Sequence, residues 1–179
     1  SMSAVKMFND GLAIAPTNPY NLVGKGHMEL RHFNTQGAEA FFVQASAAKK
    51  KIRPLVNKEI ARAYLLVEFG SADQLKAYAS RAIDYLKNSN NDFEAKILLG
   101  DAMVIQNPTN SSDAIQQYIV AGYDAPTDPR PILRQAKVYS RASAYALSIA
   151  KLDEALGLDR NFAPAYRQKA EVFSLMKER

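Results

Sequence analysis

The sequence predicts an all-α fold, a solenoid of antiparallel helix hairpins, on three observations. A pattern of about 34 residues recurs along the chain, a period that belongs to stacked helical units in which no unit buries its apolar face alone. The stretch Ala155-Leu156-Gly157-Leu158-Asp159-Arg160-Asn161-Phe162-Ala163-Pro164-Ala165-Tyr166 is echoed by Gly11-Leu12-Ala13-Ile14-Ala15-Pro16-Thr17-Asn18-Pro19-Tyr20, and more weakly by Ala121-Gly122-Tyr123-Asp124-Ala125-Pro126. In three of the four full units, residues at helix contacts, mostly small, stand at a spacing of 12 and then 7, as in Gly26, Ala38 and Ala45; in the third unit the first interval is 14. Apolar residues make up 47% and charged residues 23% of the 179, the balance of a soluble globular chain. No apolar run approaches the length of a membrane helix.

The elements follow in order within one solenoid spanning 1–179. Residues 3–15 read as an unmatched second helix. The first full repeat, 19–52, carries Leu22, Lys25 and Gly26 on its first helix and Ala38, Phe42 and Ala45 on its second. The second, 56–89, sets Ala63 and Leu66 against Leu75, Ala79, Ala82 and Ile83, with a break at Gly70-Ser71. Asn88-Ser89-Asn90-Asn91-Asp92 is a polar linker. The third repeat, 93–128, pairs Leu99, Gly100 and Ala102 with Ala114, Tyr118 and Ala121; two extra residues fall in its hairpin loop, and Ser112 is the expected N-cap of the returning helix. The fourth, 129–162, sets Ile132, Ala136 and Tyr139 against Tyr145, Ser148, Leu152 and Ala155. Residues 163–178 make an unpaired first helix with Ala165, Tyr166, Ala170 and Phe173. Tyr118, Tyr139, Tyr145 and Tyr166 occupy packing positions and read as core.

These residues resemble the tetratricopeptide repeat family. Leu99-Gly100, Ala114-x3-Tyr118-x2-Ala121 and Pro126 reproduce its pattern, as do Gly26, Ala38-x3-Phe42-x2-Ala45 and the preceding Pro16. The chain departs from the pattern in having no Trp, in Arg160 where Pro is usual, and in Leu75 where the family has Ala. Related repeats of 36–40 residues are the alternative. The resemblance implies a right-handed superhelix whose first helices line a concave groove, and a non-catalytic scaffold that binds a partner's segment there.

With no cysteine, disulfides, thiolate nucleophiles and cysteine-held metals are excluded. His27-x-Glu29-x2-His32 puts the only two histidines five residues apart, about 500° around a helix, so their rings diverge and no metal site is expected. No nucleophile motif, phosphate-cradling glycine loop or dinucleotide fingerprint occurs. The reading is therefore no enzyme, no cofactor and no metal.

The net charge of +5 is unevenly placed: residues 129–179 carry ten basic and five acidic side chains, against thirteen of each before them. Such asymmetry favours an acidic partner at that end. Transferring the groove positions implied by the resemblance gives Tyr20, Tyr64, Arg130, Leu133, Arg134, Lys137, Arg141 and Arg167 as candidate contacts for a protein or peptide. Arg130, Arg134, Lys137 and Arg141 step by four, three and four, so they share one helical face. The partners that a chaperone-tail clamp would require are replaced by Ile60, Tyr64 and Leu98. Lys49-Lys50-Lys51-x-Arg53 ends a helix, where the C-terminal carbonyls favour cations, and no nucleic-acid partner is expected. Phe162, Val172, Phe173 and Met176 are expected to lack cover, so the chain can self-associate through open ends. Ser1-Met2 reads as a scar of tag removal from an excised piece, which leaves the compartment, cytoplasmic or periplasmic, undetermined. The alternative function is a structural repeat module of a bacterial exported or envelope-assembly protein.

Overall fold

The computed structural model describes residues 17–178; the second-helix segment expected at 3–15 lies outside the described residues. These fold into nine helices with no strand among them: α1 (Pro19–Arg31), α2 (Thr35–Ser46), α3 (Arg53–Leu65), α4 (Ala72–Leu86), α5 (Phe93–Gln106), α6 (Ser112–Asp124), α7 (Arg130–Arg141), α8 (Tyr145–Leu158) and α9 (Ala163–Lys177). No described helix is long and apolar enough to cross a membrane. The chain divides into two compact units between Asn91 and Asp92, within the polar stretch.

Local chemistry fixes where the helices begin. Proline stands in the first turn of α1, α3, α7 and α9, where its missing N–H costs nothing. The Asn18 side chain accepts from the backbone N–H groups of Tyr20 and Asn21, at 3.0 and 3.2 Å. Ser71 and Gln74 form a reciprocal capping box on α4, and Asp92 caps α5 by accepting from Ala95 N–H at 2.9 Å. Ser112, expected as the cap of α6, is instead its first helical residue. Ser111 takes the cap position without a side-chain bond.

In the first unit, α1 packs on α2 and α3, and α3 on α2 and α4. Phe42 of α2 lies directly over Gly26 of α1: a Cβ built on Gly26 would stand 2.8 Å from the Phe42 Cζ, closer than real contacts allow. Around it Phe42, Tyr64, Tyr78 and Tyr85 form an aromatic cluster, with Tyr64 5.4 Å from Phe42 and 5.2 Å from Tyr78 between ring centroids. In the second unit, α5 packs on α6, α6 on α7, α7 on α8, and α9 on both α7 and α8. Tyr118 covers Gly100 as Phe42 covers Gly26. Leu133, Ala136, Leu152, Ala155, Ala165 and Val172 close the far end of this core.

One expected register changes. The second repeat was expected to open at residue 56, but α3 starts at Arg53 and the loop before α4 spans 66–71, three residues more than the loop 32–34 between α1 and α2. Moving a helix back three residues turns its faces by about 60°. Tyr64 thereby becomes the twelfth residue of α3, as Leu30 is of α1, and both are fully buried. At the C-terminal end the expectation of exposure holds for Phe173 and Met176. Val172 is fully buried and Phe162 half-buried against α7–α9. Tyr166, expected in the core, is exposed instead, its hydroxyl donating to the Arg160 carbonyl at 2.9 Å.

The loops between α1 and α2 and between α7 and α8 turn in the same way, with their middle residues Phe33 and Ser143 at φ of 57° and 59°. This left-handed region is costly for any side chain. Phe33 recovers part of that cost by stacking on Tyr78 at 5.7 Å. Ser143 is exposed and has no such contact. Ser143→Gly is therefore expected to raise stability by up to about 1 kcal/mol, read as a higher melting temperature. Gly100→Leu, by contrast, drives a side chain into the Tyr118 ring and is expected to cost about 1–3 kcal/mol in a denaturant melt. A Gly100→Leu melt matching the parent would overturn the close approach.

Candidate functional site

In the first unit, α1 and α3 lie side by side and leave a groove of about 290 Å³ between them. Proline and the Asn18 cap start α1 so that Tyr20, Val23, Gly24 and His27 fall on one stripe, three and four residues apart. The facing stripe of α3 supplies Glu59, Arg62 and Ala63, and its C-cap residue Leu66 continues the same spacing. Gly24 has no side chain to fill the floor, and Val23 and Ala63 line it. Tyr20, 44% exposed, and Leu66, 58% exposed, stand at the rim. Arg62 Nε donates to Glu59 Oε2 at 3.1 Å across one turn. His27 is half-buried, and burial first, then the nearby Arg31 charge, holds its imidazole below the ordinary value of 6.5. The groove thus presents an apolar floor, an aromatic rim, one internally neutralised ion pair and an imidazole held toward its neutral form. It can take one or two apolar side chains of an extended or helical segment.

Tyr64 does not belong to this groove. The earlier start of α3 turns it inward, where it is fully buried and its hydroxyl donates to Glu39. Tyr85 donates to the other Glu39 oxygen at 2.8 Å, and Arg81 approaches that carboxylate at 3.9 Å. Burial foremost, then the Glu39 carboxylate, pushes both phenols well above their ordinary range. The same turn buries Asn57, whose amide donates to the Asn88 carbonyl at 2.9 Å.

In the second unit the four cations of α7 separate into two kinds. Arg130 is held at the start of α7: Asp128 accepts from its backbone N–H at 3.0 Å and from its guanidinium at 2.8 Å, Glu94 accepts at 3.0 Å, and the guanidinium lies 4.9 Å from the centre of the Phe93 ring. The Arg130 hydrogen bond is the main cause holding the Asp128 carboxyl below its ordinary range. Arg134 donates to Asp101 at 2.9 Å, and Tyr118 donates to the same carboxylate oxygen at 2.7 Å. Burial and then Asp101 push the Tyr118 phenol upward. Arg130 and Arg134 thus strut α7 to α5, and Arg134 is not the solvent-facing residue that its helical face implies. Lys137 and Arg141 are exposed and, with Arg167 on α9, make no ion pair among the described residues. Leu133, a second candidate contact, is 5% exposed and belongs to a buried cluster with Ala136, Leu152, Ala155, Ala165 and Val172.

The structure therefore keeps Tyr20 as a groove residue of the first unit, keeps Lys137, Arg141 and Arg167 as accessible cations of the second, and moves Tyr64 and Leu133 into the core. Sequence reasoning missed Gly24, Glu59, Arg62, Ala63 and Leu66. The signal was present in the i, i+3/i+4, i+7 stripe of 59, 62, 63 and 66, but its phase depends on where α3 starts. Among the described residues no group of three His, Asp or Glu side chains is placed to hold a metal ion. No family model matches the chain, and no curated protein matches it.

The His27 environment has a consequence for pH. Its folded-state pKa lies below the unfolded value, so the folded protein binds fewer protons between the two and loses stability as pH falls from about 6.5 toward that lower value. Removing the imidazole in His27→Gln is expected to flatten this part of the stability profile, measured by denaturant unfolding at pH 7.5 and 5.0. An unchanged slope would mean that His27 is as free to protonate folded as unfolded.

Proposed function

We propose that this chain is a solenoid of antiparallel helix hairpins of the tetratricopeptide kind, and that it acts as a non-catalytic scaffold holding a segment of a partner protein. The described residues are all-helical apart from their loops, and three-residue loops join α1 to α2 and α7 to α8, which supports this reading. The observation that carries the functional reading is the groove between α1 and α3: an apolar floor opened by Gly24, rimmed by Tyr20 and Leu66, with its one ion pair already neutralised. Such a site suits an apolar anchor of a peptide, since concave, largely apolar recesses with few polar groups are the usual form of ligand sites. The uncompensated Lys137, Arg141 and Arg167 of the second unit favour an acidic segment, through steering more than through tight pairing.

A second reading has support of its own. Arg130 and Arg134 are engaged by Asp128, Glu94 and Asp101 rather than held out for a ligand, as in a structural module whose role is stacking.

A displayed peptide library selected on the whole chain separates the two readings. The scaffold reading expects enriched peptides with an apolar anchor, whose binding should fall at least tenfold in Tyr20→Ala/Leu66→Asp, which removes the rim. Acidic peptides, tested separately on the second unit's cations, should bind several-fold more weakly in Lys137→Glu/Arg141→Glu, and weaken as salt shortens the screening length to below about 8 Å. Peptides that bind all variants equally, or no enrichment at all, would leave the structural module as the better account.

A further inference from the structure

Exposed apolar side chains of the second unit stand on α9 and at the start of α8. Tyr166 is 53% exposed, Phe173 48% and Met176 44%, and Met176 with Leu147 lines a recess of about 510 Å³. Tyr166, Ala170 and Phe173 are spaced four and three apart and so form one stripe. Ala170 is the eighth residue of α9, as Gly26 is of α1 and Gly100 of α5. In those helices the eighth residue is the point over which an aromatic ring of the next helix closes: Phe42 on Gly26 and Tyr118 on Gly100. On α9 that point is open to solvent.

The rings that close it come from a fixed sequence. Ala38-x3-Phe42-x2-Ala45 and Ala114-x3-Tyr118-x2-Ala121 place a small residue on either side of the aromatic, and all six residues are buried. The chain carries the same arrangement once more, in Ala4-x3-Phe8-x2-Gly11. We infer that the α9 face binds a second copy of this chain through that segment, Phe8 of one copy closing over Ala170 of the next beside Tyr166 and Phe173. The joint is heterologous, head to tail, so it uses different surfaces on the two copies and can continue into open chains rather than stop at a symmetric dimer. Ala170 makes the fit weaker than the internal ones, since its methyl stands where Gly26 and Gly100 leave room for the ring.

Sedimentation of the whole chain over rising concentration tests this. The parent is expected to form a concentration-dependent series beyond the dimer. Phe8→Glu and Phe173→Glu each disable one end, so each alone should remain monomeric, while their mixture should form dimers and nothing larger. Ala170→Gly should tighten association several-fold although it removes apolar surface, and Ala170→Leu should abolish it. The position is exposed in a single copy, so both variants should retain the parent's helicity. A strict monomer at all concentrations would overturn the proposal. So would a Phe8→Glu variant that associates like the parent while Phe173→Glu does not, the mark of α9 pairing with itself. Weaker association in Ala170→Gly with stronger association in Ala170→Leu would mark an unspecific apolar patch and overturn it too.

Discussion

The structure depends on one kind of contact: an aromatic ring laid onto a helix at a point with no side chain. Phe42 reaches Gly26 and Tyr118 reaches Gly100 so closely that a single added carbon would overlap the ring. A glycine within a helix costs about 1 kcal/mol relative to alanine. It is retained here because it lets the neighbouring helix approach and bury a whole ring, a gain of about 1.5–3 kcal/mol. Both contacts also fix polar groups. Tyr118 carries its hydroxyl to Asp101, and Phe42 supports Tyr64 and Tyr85, which share Glu39. Ring position, helix spacing and the placement of buried carboxylates are therefore set together.

Charge is used differently in the two units. In the second, the guanidinium forks of Arg130 and Arg134 bridge α7 to acids on α5 and on the loop before α7, and so act as packing elements. Arginine suits this role because its planar fork can bind two carboxylate oxygens at once. In the first unit the α1–α3 groove has an apolar floor, and the Arg62–Glu59 pair that lines it lies within α3. Stripping an arginine from α7 would therefore disturb the assembly of its own unit, whereas altering Tyr20 or Leu66 touches only a rim.

Most of the helices were legible because the repeat spacing constrains them through the residues, mostly small, at helix contacts. Gly26 with Phe42 and Gly100 with Tyr118 could be read in advance for that reason. The start of the first helix of the second repeat could not, because Ala63 stands at the 12-residue spacing from Leu75 and so set the register three residues late. Three additional residues in the loop 66–71 decide the matter, and loop length does not follow from periodicity. Tyr64, and with it half of the expected aromatic contacts, was misplaced by that one ambiguity. The Asp101–Arg134 bridge spans 33 residues of sequence, and a helical face seen alone gives no sign of a partner on another helix. Leu133 was misread in the same way: a helical stripe seen alone does not show the residues of α8 and α9 that share its buried cluster.

The phenols bound to Glu39 and Asp101 also set an upper limit on the conditions that the fold can survive. Tyr64 and Tyr85 in the first unit and Tyr118 in the second are held above the value near 10 at which a tyrosine in an unfolded chain ionises. The folded state therefore keeps protons that the unfolded state gives up, and each such phenol withdraws stability as pH climbs past about 10. Ionisation in place is disfavoured for each, since burial and a neighbouring carboxylate both oppose a phenolate there. Alkali thus acts on both units through the same chemistry, and a tyrosine titration followed by absorbance would register the loss of the fold as a late, steep step.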